Sequence, residues 1–136
     1  GFSGLIVPLF DARRGQVYTG CYRSEGMEAV RAQSTEQIIL LREWLPLLRD
    51  LAQGEPILFL GEDVRLHRET IVQELGDQAQ FASPAFNHPR AAHIGYVALR
   101  KLQEGGNAHE LVPEYLQLAE AEAKWLAQKQ AGAVKE

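Results

Sequence analysis

Two short turns hold most of the residues in this chain that could do chemistry. The first is Asp11-Ala12-Arg13-Arg14-Gly15 and the second is Gly61-Glu62-Asp63. Three readings of them stay open on the residues alone. Clustered carboxylates on Asp11, Glu62 and Asp63, with Glu43 as a remote fourth, could ligate Mg²⁺ for in-line phosphoryl attack, as in a metal-dependent nuclease. Such acids would sit better inside the first strand, and Leu5 to Phe10 has none. The backbone N–H groups of the Asp11–Gly15 turn and of a helix start at Asp63 could instead cradle phosphate, as an ATP-binding half-site would. That use favours several glycines, and Arg13 and Arg14 stand in their place. The third reading is structural: Asp11 forms a turn, Asp63 caps a helix and the arginines are solvated, which is the commonest use of these residue types.

Other reactive residues fall into no constellation. His67, His88, His93 and His109 show no four-residue helical spacing of the kind a zinc site uses, and read as surface or helix-end residues. Cys21 is the only cysteine, which excludes an internal disulfide and a zinc cluster; it reads as a small core residue. Neither a Gly-x-Ser-x-Gly nor a Walker-type segment occurs, so no catalytic residue and no metal ligand set is assigned.

The elements that must carry these turns follow from periodicity. Leu5–Phe10 is a short apolar run and reads as a strand buried on both faces. Gln16–Arg23 pairs with it as a hairpin, and Met27–Gln33 is a more polar edge strand. Ser34 and Thr35 can cap a helix, with Leu41, Trp44, Leu45, Leu48 and Leu51 at helical spacing; Pro46 lacks an N–H, which puts the regular start near Arg42 with a bend at Pro46, and Gly54 ends the helix. Pro56–Leu60 is a second apolar strand, and a helix capped by Asp63 runs to Leu75 before Gly76. A fifth strand covers Gln80–Ala82. A helix from Pro89 to Glu104 has a stripe of Ala91, Ile94, Gly95, Ala98 and Leu102 that can sit closely on a sheet. Gly105-Gly106-Asn107 stops it. Pro113–Leu118 is extended, and a last amphipathic helix pairs Glu120 with Lys124. Trp44 reads as core. Trp125 packs back on the sheet or anchors a partner.

This order, β-β-β-α-β-α-β-α, predicts an α/β fold with a mixed five-stranded sheet of ribonuclease H-like layout. Strands one and four then lie side by side and parallel, so both turns share one rim. A division at 118/119 separates the sheet domain, 1–118, from the terminal helix and tail, 119–136. The opening Gly1-Phe2-Ser3-Gly4 reads as a cut inside a linker, so a preceding half is expected to be missing. With 136 residues, 46% of them hydrophobic, the chain can build one core. A net charge of −4 gives no general attraction to nucleic acid. Lack of a membrane-length apolar run or signal pattern points to the cytoplasm and away from membranes.

Two segments carry a resemblance. Leu9-Phe10-Asp11-Ala12-Arg13-Arg14-Gly15-Gln16-Val17-Tyr18, and Pro113-Glu114-Tyr115-Leu116 followed by Glu120-Ala121-Glu122, resemble the C-terminal half of the TsaB, or YeaZ-like, family of bacterial tRNA threonylcarbamoyladenosine biosynthesis proteins. Ile57–Leu60 ending in Gly61 fits as well. The chain departs from the family at Gln16, where Glu is usual, and at Gln117, where Arg is usual. The resemblance implies half of a two-part protein of the actin-like ATPase superfamily. It implies a non-catalytic subunit that works with TsaD and TsaE in tRNA modification, with chemistry on TsaD and tRNA met only indirectly. A homodimer is a further expectation. By the same analogy Asp11, Arg13, Arg14 and Gly15 stand where relatives bind phosphate, and Gly61, Glu62 and Asp63 near their adenosine loop. Both loops are degenerate, so ATP binding is weak or lost and no cofactor is required. Tyr115 and Trp125 are the partner-contact candidates. The absent half would supply most of the surface that meets TsaD, so this chain alone is expected to be inactive.

Overall fold

The computed structural model describes residues 2–24, 30–101, 112–113 and 116. The chain divides into two compact units, Gly1–Gly106 and Asn107–Glu136, and the elements named below belong to the first. Tyr115, Trp125, Leu102, His109, the start of the expected third strand at Met27, the Glu120–Lys124 pair and the terminal helix lie outside the described residues.

The expected α/β class holds. Among the described residues seven strand segments form one sheet: β1 (Leu5–Asp11), β2 (Gln16–Thr19), β3 (Tyr22–Ser24), β4 (Val30–Ala32), β5 (Gln37–Leu40), β6 (Ile57–Leu60) and β7 (Ala79–Phe81). Among the described residues three α-helices accompany them: α1 (Leu41–Ala52), α2 (Val64–Leu75) and α3 (Ala91–Lys101). β1 is central. It pairs antiparallel with both β2 and β3 and parallel with β6, which in turn pairs parallel with β7. β2 pairs with β5, and β3 with β4.

β2 and β3 are two pieces of one strand, and Pro8 explains the break. Leu9 faces Thr19 and Ile6 faces Tyr22, so the register never slips between them. Leu5 donates its N–H to Pro56 O at 3.1 Å, so odd residues of β1 bond towards β6 and even residues towards the hairpin partner. Pro8, an even residue, has no N–H to give and leaves a gap opposite Gly20. Thr19 fills part of it: its hydroxyl donates to the Pro8 carbonyl at 2.8 Å and accepts the Trp44 indole N–H at 3.2 Å. A central-strand proline is thereby tied to α1.

The other interruption, between β4 and β5, is a bulge. Tyr22 faces Ala32, yet Thr19 faces Gln37, so extra residues are accommodated between the two ladders. The Cys21 carbonyl accepts from both Gln33 N–H (2.7 Å) and Ser34 N–H (3.3 Å), and the Ser34 hydroxyl accepts the Cys21 N–H at 2.9 Å. The expected helix cap at Ser34 and Thr35 is therefore corrected. Serine serves the sheet here, and Gln37–Leu40 extends the strand up to Leu41. No side chain caps α1; its Leu41 N–H is taken by Gly15 O at 2.9 Å. Pro46 lies inside α1, and Gln53 closes it in a left-handed conformation just before Gly54.

The core sits on one side of the sheet. Leu5, Val7, Leu9, Val17, Cys21, Ile57 and Phe59 meet Leu41, Trp44, Leu45, Leu48 and Ala52 of α1 and Val64, Ile71 and Leu75 of α2. Trp44 is 2% exposed, as its helical spacing predicts, whereas Leu51 turns outward. Arg49 of α1 bonds Glu74 at 2.8 Å, and the Arg68 guanidinium lies 3.9 Å from the Phe81 ring centre. The Phe81 ring in turn packs 6.1 Å from Phe59.

Two burial expectations are corrected. β1 is buried on its odd face only: Ile6 and Pro8 are half-buried and Phe10 is 37% exposed. The uninterrupted apolar run conceals a one-sided strand, because alternation cannot be read when both faces are apolar. The stripe Ala91, Ile94, Gly95 and Ala98 is exposed, with Ile94 at 64%; α3 lays it on no sheet within the described residues. None of the described helices is long and apolar enough to cross a membrane.

Replacing Thr19 by Val keeps the shape but removes both hydrogen bonds of the bridge from Trp44 to Pro8. Two buried polar groups lose their partner, so Thr19→Val should cost about 2–3 kcal/mol in urea unfolding, while Thr19→Ser should cost clearly less. Equal midpoints for the two variants would refute this role.

Candidate functional site

The parallel pairing of β1 with β6 ends where both turns begin. Pro8 faces Leu60, and one residue further the backbones close in. Gly61 adopts φ +129°, and a Cβ built there would lie 2.2 Å from Leu9 O. Any side chain is excluded by backbone, so this glycine is required by strand packing. Its N–H is held by Asn87 Oδ1 at 3.2 Å.

That close approach brings Asp63 to Asp11. The Asp11 N–H donates to Asp63 Oδ2 at 3.0 Å. Asp63 occupies the N-cap position of α2, but its carboxylate makes no cap hydrogen bond to the helix. The capping role expected from sequence is thus corrected: the carboxylate ties the helix start to the central strand instead. Glu62 points away to exposed His88, with Nδ1 to Oε2 at 3.5 Å.

Asp11 has two further partners. Its Oδ2 accepts the Arg13 N–H at 3.2 Å, a local turn of the kind aspartate favours. Its Oδ1 lies 3.0 Å from His67 Nε2. His67, in the first turns of α2, has a side chain only 14% exposed, so the surface reading of this histidine is corrected. Sequence reasoning missed it because Asp11 and His67 stand 56 residues apart. The one available signal was its place four residues into a helix that starts at the rim.

The hairpin tip is held from several sides. Arg13 (φ 66°), Arg14 (φ 52°) and Gly15 (φ 76°) are consecutive left-handed residues. Ala12 N–H donates to Gln16 O and Gln16 N–H to Arg13 O, each at 2.9 Å. A Cβ on Gly15 would meet nothing within 4 Å, so the need for glycine there is conformational alone. Between the tip and the two helices lies an open cleft of about 270 Å³, lined by Arg14, Gly15, Leu40, Leu41, Arg42, His67 and Thr70.

Chemically, the rim is a set of internally engaged charges. The structure brings together Asp11, Asp63 and His67, and leaves Glu62 and Glu43 outside that set. Among the described residues no three histidine, cysteine, aspartate or glutamate side chains are grouped so as to hold a metal ion. Cys21 is fully buried, and desolvation pushes its thiol up to about 11, with Arg23 opposing only weakly. It is core, as its strand position predicts.

With this geometry in place, comparison with known proteins gives two findings. Residues 2–125 match the family model described as "TsaD: tRNA N6-adenosine threonylcarbamoyltransferase". The chain is also 43% identical, over 127 residues, to the Bacillus subtilis (strain 168) protein named "tRNA threonylcarbamoyladenosine biosynthesis protein TsaB". That match covers 92% of this chain and 52% of the relative, so the chain spans about half the length of the protein it resembles.

Two measurements test these assignments. Gly61→Ala should lose about 3 kcal/mol through backbone overlap, against about 1 kcal/mol for Gly15→Ala in open space; comparable losses in thermal unfolding would contradict the packing role of Gly61. The raised Cys21 thiol should resist a disulfide reagent at pH 8 in the native protein and react at once in urea. Its burial contributes stability that is fully present below the ordinary thiol value of 9.0 and is lost as pH climbs through about 11.

Proposed function

The chain belongs to the family described as tRNA N6-adenosine threonylcarbamoyltransferase (TsaD), and from that premise we propose that it is the C-terminal half of a non-catalytic subunit in tRNA threonylcarbamoyladenosine synthesis. The observation that carries this reading is the 43% identity to a protein named TsaB, extending over nearly the whole chain. The fold we infer is a ribonuclease H-like half of the actin-like ATPase superfamily. Support comes from a central β1 flanked by a hairpin on one side and by parallel β6 and β7 on the other.

A supporting role is favoured by how the rim uses its charged groups. Asp11 commits its N–H and both carboxylate oxygens to Asp63, Arg13 and His67. Asp63 is committed to the backbone of β1 and Gly61 to strand packing. A turn that carries Arg13 and Arg14 in left-handed positions gives nucleotide phosphates a bulkier seat than a run of glycines would. On this reading ATP affinity is weak or lost, no cofactor is needed, and catalysis belongs to a TsaD partner. TsaE and a second copy of the subunit complete the expected assembly, with tRNA reached through the partners in the cytoplasm.

The test uses the full-length parent protein, purified with TsaD and TsaE of the same organism. Association at about micromolar concentration is expected, together with tRNA modification that depends on the parent protein. Full modification in its absence, or no association, would defeat the proposal.

A further inference from the structure

Among the described residues, the hairpin tip holds two of the three non-glycine residues with positive φ. Left-handed backbone at two successive arginines persists only where the surroundings over-determine it. Within the tip, Ala12 N–H donates to Gln16 O and Gln16 N–H to Arg13 O, and two further tethers tie it to its surroundings. Gly15 O is fixed by the Leu41 N–H of α1, and the Arg13 N–H by Asp11 Oδ2. Asp11 itself can turn about its side-chain torsions. What fixes the carboxylate is its second oxygen, held by His67 Nε2 at 3.0 Å. The chain of contacts therefore runs from α2 through one imidazole to one carboxylate and on to the backbone of the tip.

We propose that His67 is a latch: by holding Asp11 it keeps the Arg13–Gly15 tip in its left-handed conformation and couples that tip to α2. The tip is then a two-state element. Latched, it holds Arg13 and Arg14 at positive φ and shapes the cleft beside Arg42. Released, Arg13 loses its acceptor and the turn relaxes towards ordinary right-handed geometry. His67 acts through Asp11 and is a positioning residue. A carboxylate acceptor fixes the imidazole as the tautomer with its proton on Nε2. Glutamine at this position would place an amide donor at a comparable reach, whereas alanine would remove the donor. The latch is a property of the fold and stands whether or not the functional reading above holds.

Amide hydrogen exchange on this chain tests it. In His67→Ala, exchange at Ala12, Arg13 and Gln16 should speed up by about tenfold or more, with Val7, Leu45 and Phe59 changing far less. His67→Gln should restore protection at the tip. An unchanged tip in His67→Ala overturns the proposal, as does a uniform rise across tip and core, or a His67→Gln protein that is folded but as unprotected as His67→Ala. Should the alanine variant fail to fold, nitrogen-15 spectra of the unaltered protein decide. An Nε2-protonated imidazole at His67 supports the latch, and an Nδ1-protonated one overturns it.

Discussion

The closeness of two backbones, the carbonyl of Leu9 against Gly61, governs everything at the rim. β1 and β6 run parallel to that point, and only the missing side chain of Gly61 lets them stay together beyond the last ladder pair. From there the chain enters α2 within three residues. Asp63 then falls within hydrogen-bond distance of Asp11 N–H, and one helical turn later His67 reaches the Asp11 carboxylate. A methyl group at Gly61 would overlap the Leu9 carbonyl and push apart the two strands that set these contacts.

A comparable compensation operates at the centre of the sheet. Pro8 deprives the central strand of a donor, and at that gap the Thr19 hydroxyl donates to the Pro8 carbonyl while accepting the Trp44 indole N–H of α1. The bulge at Gln33 and Ser34 lets the edge strand change register and still deliver Leu41 directly into a helix. Both irregularities lie on or beside the face that α1 covers. The opposite face, with Ile6, Pro8 and Phe10, is left partly open within the described residues.

These constraints explain why a rim rich in acids and arginines holds so little uncommitted chemistry. Two of the acids that composition marks as ligands there are engaged by the fold, Asp63 by a strand N–H and Asp11 by a turn and a histidine, while Glu62 stands apart beside exposed His88. Geometry that aims charges at one another is suited to holding a surface in shape.

Local sequence was enough to read the α/β class, the α2 boundaries from Asp63 to Gly76, the buried places of Trp44 and Cys21, and the family, carried by the Asp11–Tyr18 hairpin. These rest on periodicity, helix stops and a contiguous motif, none of which needs a distant partner. Folding in three dimensions settled the rest: Ser34 belongs to a sheet bulge, Asp63 ties strand to helix, His67 is an inner partner of Asp11, and the small-residue stripe of α3 faces outward. In the first three cases the partner lies 13, 52 and 56 residues away along the chain. A side chain with several available bonds chooses among them only once the backbone has brought one within about 3 Å.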